Sequence, residues 1–217
     1  MNCSGPKDTA VFTELNVALE AARVIAVTGR MASGKNAVCQ ILSQNGAVCV
    51  DADILVHAAI KNQNDKILQT FTPFAQQKNL IIQNDDGSVN RRALGELLFS
   101  DPNLLKMQED IVYPEVTALT KEFINHNQKS GKLCVINATV LYKTPELLDL
   151  CDFIIFVDAP FIKRFLRARK RDGIKTSVLL KRFSAQKDLL NEYKACGKKI
   201  FVLKNNGNLT DLQKKLN

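Results

Sequence analysis

Short unbroken apolar runs alternate along this chain with longer stretches of helical spacing. The first run, Val24-Ile25-Ala26-Val27, ends at Gly29. Later ones cover Ala47 to Val50, Leu133 to Ile136, Phe153 to Val157 and Ile200 to Leu203. Continuous apolar runs of this length, bounded by turn signals, suit strands covered on both faces of a parallel sheet. Between them, Val11, Leu15, Ala18, Leu19 and Ala22 recur at helical spacing over 11–22, behind a loose polar leader at 1–10. Residues 35–44 read as a helix stopped by Asn45-Gly46. Asp53 to about Gln76 is mainly helical, with Pro73 as punctuation, and Asn84-Asp85-Asp86-Gly87-Ser88 is a turn. Ser88 or Asn90 can cap the next helix, which carries Arg91, Arg92, Leu94, Leu97 and Leu98. Pro102 and Pro114 each open a further helical stretch, the second running to about Gln128.

This alternation predicts an α/β fold with a five-stranded parallel sheet flanked by helices. The segment from about 57 to 129 carries no core strand and reads as helical cover plus an inserted lobe. The expected organisation is an N-terminal leader and helix over 1–22, then one domain over 23–217.

Composition narrows the chemistry. The net charge of +8 favours an anionic partner, be it a nucleotide, a polyphosphate, a coenzyme or a nucleic acid. Only 6% of residues are aromatic and none is Trp, which disfavours a base-stacking nucleic-acid platform. Six cysteines include no Cys-x-x-Cys pair and there are two histidines, so a zinc site is not expected. Most of the cysteines fall in predicted strands or helices, where a thiol acts as a small buried hydrophobe. No apolar stretch reaches membrane-spanning length and no secretory signal is visible, so a reducing cytoplasm is the expected setting.

The chemical centre is the run Gly29-Arg30-Met31-Ala32-Ser33-Gly34-Lys35-Asn36, directly after a predicted strand and directly before a predicted helix. That context is what a phosphate-binding Gly-x-x-x-x-Gly-Lys loop needs. The glycines let consecutive backbone N–H groups turn inward, the helix N-terminus adds partial positive charge, and Lys35 reaches the β- and γ-phosphates. The residue after the lysine is normally Ser or Thr, whose hydroxyl ligates Mg²⁺. Here it is Asn36, whose carboxamide oxygen is also a hard donor.

Asp51-Ala52-Asp53 lies at the carboxyl end of the second predicted strand, the edge where ligands gather in open parallel sheets. A carboxylate there can take a proton from an attacking hydroxyl or hold a metal-bound water; helix capping is the plainer alternative. After the fourth run come Lys163, Arg164, Arg167, Arg169, Lys170 and Arg171, with Arg164, Arg167 and Arg171 on one helical face. Such a basic element can close over a triphosphate, although on charge pattern alone it reads as a solvated face.

Together these segments resemble the dephospho-CoA kinase family, from about Val24 to Leu212. The resemblance rests on Val27-Thr28-Gly29 with Ser33-Gly34-Lys35, on Asp51-Ala52-Asp53, on Asp86-Gly87-Ser88 with Arg91 and Leu94, and on Phe99-Ser100-Asp101-Pro102. It continues through Cys151-Asp152, Val157-Asp158-Ala159-Pro160, Arg167, Arg171-Asp172-Gly173, Arg182, Gln186 and Asn205-Asn206-Gly207. It implies a P-loop kinase fold with strand order 2-3-1-4-5, a helical acceptor-binding lobe and a lid over about 160–190. The implied reaction moves the ATP γ-phosphate to the ribose 3′-hydroxyl of dephospho-CoA, with Mg²⁺ and with no nucleic-acid or membrane partner. By the same resemblance ATP meets Gly29, Ala32, Ser33, Gly34, Lys35, Asn36, Ala37, Arg167, Arg171 and Asn206. The acceptor meets Asp53, His57, Arg91 and Arg92. Lys35 and Asp53 are the catalytic pair, Asp53 as general base, and Asn36 is the metal residue.

The sequence departs from the family at Asn36, at Tyr113, where His usually precedes Pro114, and at Asn137-Ala138-Thr139-Val140-Leu141, where many members read Asp-Val-Pro-Leu-Leu. Lys143 replaces an acid, and residues 1–22 have no counterpart. The alternatives are a P-loop kinase for another nucleoside or small alcohol, and a nucleotide-binding protein without turnover. Oligomeric state is not readable from the sequence.

Overall fold

The computed structural model describes residues 6–216, with side chains from Val11 onward. The chain runs α1 (Pro6–Ala21), β1 (Val24–Thr28), α2 (Lys35–Gln44), β2 (Val48–Asp51), α3 (Ala52–Asn62), α4 (Asn64–Gln77), α5 (Arg91–Phe99) and α6 (Pro102–Gln128). It continues through β3 (Cys134–Asn137), a 3-10 turn (Leu141–Lys143), α7 (Pro145–Asp149), β4 (Phe153–Asp158), α8 (Phe161–Asp172), α9 (Thr176–Ser184), α10 (Leu189–Ala195), β5 (Ile200–Lys204) and α11 (Leu209–Gln213).

The five strands form one parallel sheet in the order β2-β3-β1-β4-β5. The three inner strands are buried along nearly their whole length, as their unbroken apolar runs require. The edge strands depart from that expectation: β2 is only half covered throughout, and in β5 Phe201 and Leu203 are buried while Ile200 and Val202 are half covered. From β1 the chain crosses to the β2 side of the sheet, and after β3 it crosses back to β4. The carboxyl end of β1 is therefore the point where the winding reverses, which in open α/β sheets is where ligands bind.

Helix α1 begins at Pro6, whose fixed φ suits a first helical position. Residues 6–10 are thus helical rather than a loose leader; the rest of that leader, 1–5, lies outside the described residues. Leu15 is 1% exposed in the core made by α2 and the sheet, with Phe12, Ala18, Leu19 and Ala22 packed around it. Asn45-Gly46 ends α2, with Gly46 at φ +94°.

The chain divides into two compact units, the second being Ala52–Glu122. Within that second unit Ile67, Phe71, Leu94, Leu97 and Val112 form an apolar core of their own. The Asn84–Ser88 turn forms as expected, with Gly87 at φ +80° and a short Gln83–Val89 bridge across it. Asn90, not Ser88, is the cap: its side chain accepts from Ala93 N at 3.2 Å.

Two prolines behave differently from expectation. Pro73 lies inside α4, and Pro114 lies inside α6 rather than opening a helix. An interior proline costs a helix about 3 kcal/mol. Phe71 and Ala75 flank the first and Val112 and Val116 the second, all four buried. Burial of Val- to Phe-sized side chains is worth about 1.5–3 kcal/mol each, enough to carry the helix through.

Candidate active site

Thr28 brings the chain to the carboxyl edge of β1, and the next six residues turn it back into α2. Two glycines make that turn sterically possible. Gly29 has φ +147°, and a Cβ there would stand 2.2 Å from the Val157 carbonyl oxygen. Gly34 has φ +107°, and a Cβ there would meet Asn205 Nδ2 at 2.1 Å. Ala32 sits at φ 58°, a left-handed conformation that costs a non-glycine residue roughly 1–2 kcal/mol. It packs with Met31 against the apolar cluster of Ala168, Leu179 and Phe183 on α8 and α9.

The loop is held by side chains remote in sequence. Arg30 Nη1 pairs with Asp158 at 3.0 Å, while its Nε and Nη2 donate to the Gln186 and Lys187 carbonyls at 3.2 and 3.0 Å. Met31 N donates to Gln186 Oε1 at 2.6 Å. On the other flank, the Ser33 carbonyl accepts from Asn205 Nδ2 at 2.8 Å and from Arg167 Nη1 at 3.4 Å. Lys35 Nζ folds back to donate to the Gly29 carbonyl at 3.1 Å. The first N–H groups of α2 lack intrahelical acceptors by construction and, with the helix's partial positive charge, face the loop. Such an arrangement binds a polyphosphate.

Beside the loop the sheet register sets Asn137 opposite both Val27 and Asp51. Its Nδ2 donates to Asn36 Oδ1 and to Asp51 Oδ2, each at 3.0 Å, and its Oδ1 is buried with no hydrogen-bond partner. The two departures Asn36 and Asn137 thus bond to one another. Behind them Tyr193, fully buried, accepts from Leu141 N at 2.8 Å and donates to the Thr139 carbonyl at 3.1 Å. Burial pushes its phenol up to about 12, so it stays a neutral donor.

Gly29, Ala32, Ser33, Gly34, Lys35, Asn36 and Ala37 are therefore one continuous loop and first helical turn, and Arg167 lies against it. Arg171 is paired with its neighbour instead, its Nε 2.5 Å from Asp172 Oδ1. Asp172 raises the Arg171 guanidinium further and is itself held below the usual carboxylate range by it. Asn206 is exposed, and its carbonyl accepts from Lys163. Arg164 is not on a solvated face: Arg171 is exposed and Arg167 half-buried against the loop, but Arg164 turns inward. It is buried, donates from Nε to the Ala159 carbonyl at 3.0 Å and lies 4.8 Å over the Phe183 ring. Burial lowers its pKa, and neighbouring Arg30 adds to that. Its i+4 neighbour Ala168 is buried too, so this stripe of α8 faces inward, with Phe165 and Arg167 half-buried beside it.

In the second unit Asp53 and His57, four residues apart, are exposed on one face of α3. Asp53 falls in the first turn, where a carboxylate complements the helix dipole. Arg91 and Arg92 are exposed in the first turn of α5. Sequence reasoning missed Arg30, Asn137 and Asn205 as loop-holding residues. For Asn205 a signal existed, since it adjoins Asn206 in the same short motif.

A glycine-rich loop between the central strand and its following helix, in a parallel sheet ordered 2-3-1-4-5, makes this a P-loop kinase fold. A model of the Dephospho-CoA kinase family matches residues 23–211. The chain belongs to the dephospho-CoA kinase family. It is similar to the dephospho-CoA kinase of Treponema pallidum, 36% identical over 89% of this chain and 92% of that one. The one from Treponema denticola is 32% identical over 89% and 86%. Among solved structures, TT1252 from Thermus thermophilus matches with a TM-score of 0.73 at 29% identity, over 89% of this chain and 94% of that one. Dephospho-CoA kinase from Campylobacter jejuni shares the fold, with a TM-score of 0.61 at 21% identity over 89% and 93%.

Proposed function

We propose that this chain transfers the γ-phosphate of ATP to the ribose 3′-hydroxyl of dephospho-CoA, in the cytoplasm. The observation that carries this reading is the coincidence of family membership over 23–211 with an intact, externally braced Gly29–Lys35 loop. On it, the loop N–H groups and the α2 N-terminus bind the β- and γ-phosphates, and Lys35 moves from the Gly29 carbonyl onto them. Its ammonium then stabilises charge that grows in the transition state. Arg167, and Arg171 and Asn206 further out, contact the nucleotide.

Asp53 accepts the proton of the 3′-hydroxyl as that oxygen attacks phosphorus. The β-phosphate oxygen leaves with the electron pair, and the products are ADP and the 3′-phosphorylated coenzyme. His57, Arg91 and Arg92 meet the acceptor, whose pyrophosphate calls for cations. The helical unit Ala52–Glu122 is the acceptor lobe on this reading, and the segment around α8 and α9 is the lid.

The residues present suit Mg²⁺. Asn36 Oδ1 uses one lone pair for Asn137 and, as a carbonyl-type oxygen, has a second for a hard cation. Asn36 would hold the ion, which would supply positive charge to offset that of the phosphates.

The test is an acceptor panel: dephospho-CoA, other nucleosides and small alcohols, each with ATP and Mg²⁺. The expected result is a kcat/KM for dephospho-CoA at least about a hundredfold above any other acceptor, the scale of one or two lost hydrogen bonds to charged groups. A higher value for another acceptor assigns the enzyme to that substrate instead.

A further inference from the structure

One pair of side chains in the first unit has no part in phosphate transfer. Cys39 lies in α2, four residues beyond Lys35, and is 7% exposed. Cys49 lies in the neighbouring edge strand β2 and is half-buried. Cys49 Sγ donates to the Cys39 carbonyl oxygen at 3.4 Å, which sets the two cysteines against one another. Ser43, on the next turn of α2, donates its hydroxyl to Cys49 Sγ at 3.2 Å.

The other cysteines of the described residues have different surroundings. Cys134 and Cys151 are buried, and burial pushes both thiols up. Cys196, just past α10, donates to the Glu192 carbonyl of that helix and is raised by burial too. Cys49 alone among them is held down, to about 7, chiefly by its hydrogen bond with Cys39; burial opposes this and Ser43 assists it. Nucleophilic sulfur chemistry selects such a partly exposed thiol with donors around it, and a second thiol in contact can convert its sulfenic acid into a disulfide.

We infer that Cys39 and Cys49 form a peroxide-oxidisable dithiol, Cys49 being the sulfur attacked first and Cys39 the one that resolves it into an intramolecular disulfide. In the first step the Cys49 sulfur attacks one oxygen of hydrogen peroxide. The O–O bond breaks, Cys49 becomes a sulfenic acid and one water leaves. In the second, the Cys39 sulfur attacks the Cys49 sulfur, the S–O bond breaks and the hydroxyl leaves as a second water. Two thiols have then lost two electrons and two protons, and one peroxide has been reduced to two waters. The new bond ties the helix that starts at the phosphate loop to the strand that ends at Asp51.

The experiment treats the folded protein with hydrogen peroxide at neutral pH, blocks remaining thiols with N-ethylmaleimide, and digests with trypsin. Lys35 and Lys61 bound one peptide, residues 36–61, that holds both cysteines. The expected product is that peptide without maleimide and lighter by two hydrogens, restored by dithiothreitol. It should form at least about tenfold faster in the folded protein than in urea, because the fold supplies the proximity. In Cys39→Ser the reaction should stop at a sulfenic acid on Cys49, trapped by dimedone; in Cys49→Ser the peptide should stay reduced. A fully alkylated 36–61 peptide in a sample where Cys196 has oxidised would overturn the proposal. Equal rates in folded and unfolded chains, or oxidation of Cys39 in Cys49→Ser, would do the same.

Discussion

The phosphate loop and the acceptor-side residues are built in opposite ways. Gly29–Lys35 is irregular backbone, with two glycines and Ala32 at positive φ, and it keeps its shape through partners more than a hundred residues away: Asp158, Arg167, Gln186 and Asn205. Asp53, His57, Arg91 and Arg92 stand instead on regular helix, in first turns or one turn on, exposed. The proposed grip on nucleotide is therefore a tertiary property that distant substitutions can loosen. The residues proposed to meet the acceptor are placed by local helix geometry, and substituting them should leave the nucleotide grip alone.

The sharpest test of that contrast is Asp53→Asn, which keeps shape and removes the proton acceptor. The kcat with dephospho-CoA should fall by roughly 10²–10⁴, the usual worth of general base catalysis, while the Kd for ATP measured by calorimetry stays at the wild-type value. A matching loss in ATP affinity would break the comparison. Lys35→Ala acts on the other side and should lower kcat by about 10²–10³, the scale for losing one electrostatic donor to the transition state. Unlike Asp53→Asn, it should weaken ATP binding as well, readable in the same calorimetric titration.

Asn205→Ala tests whether the loop depends on remote support. It leaves the Ser33 carbonyl without its 2.8 Å donor. Only the long 3.4 Å bond from Arg167 then remains; the loss approaches the about 1–3 kcal/mol of an unsatisfied buried acceptor, so the KM for ATP should rise about tenfold or more with dephospho-CoA KM unchanged. The smallest effect belongs to Asn36. Asn36→Ala should raise the Mg²⁺ concentration for half-maximal rate by about tenfold, the worth of a bond to a charged group. Asn36→Ser should stay near wild type because an oxygen donor is retained. A Mg²⁺ requirement unmoved in Asn36→Ala would remove Asn36 as the metal residue.

The same contrast explains what the sequence could and could not reveal. The strand–loop–helix context of Gly29–Lys35 is local, so the loop and its flanking elements were legible to within a residue or two. The sheet order came through the family resemblance, and the structure has it. What holds the loop was not legible: Ser33 and Asn205 are 172 residues apart, and Arg30 finds its partners 128 to 157 residues away. Arg164 looked like part of a solvated basic face because charge pattern carries no information about which stripe of α8 a neighbouring helix covers. Pro73 and Pro114 looked like boundaries because the burial of Phe71, Ala75, Val112 and Val116 that overrides them is tertiary.

The central claim is phosphate transfer to one particular oxygen. Purified protein incubated with ATP, Mg²⁺ and dephospho-CoA should yield a product heavier by one phosphoryl group, with phosphorus NMR locating it on the ribose 3′-oxygen. A phosphate on any other oxygen, or bound ATP with no product at all, would contradict it.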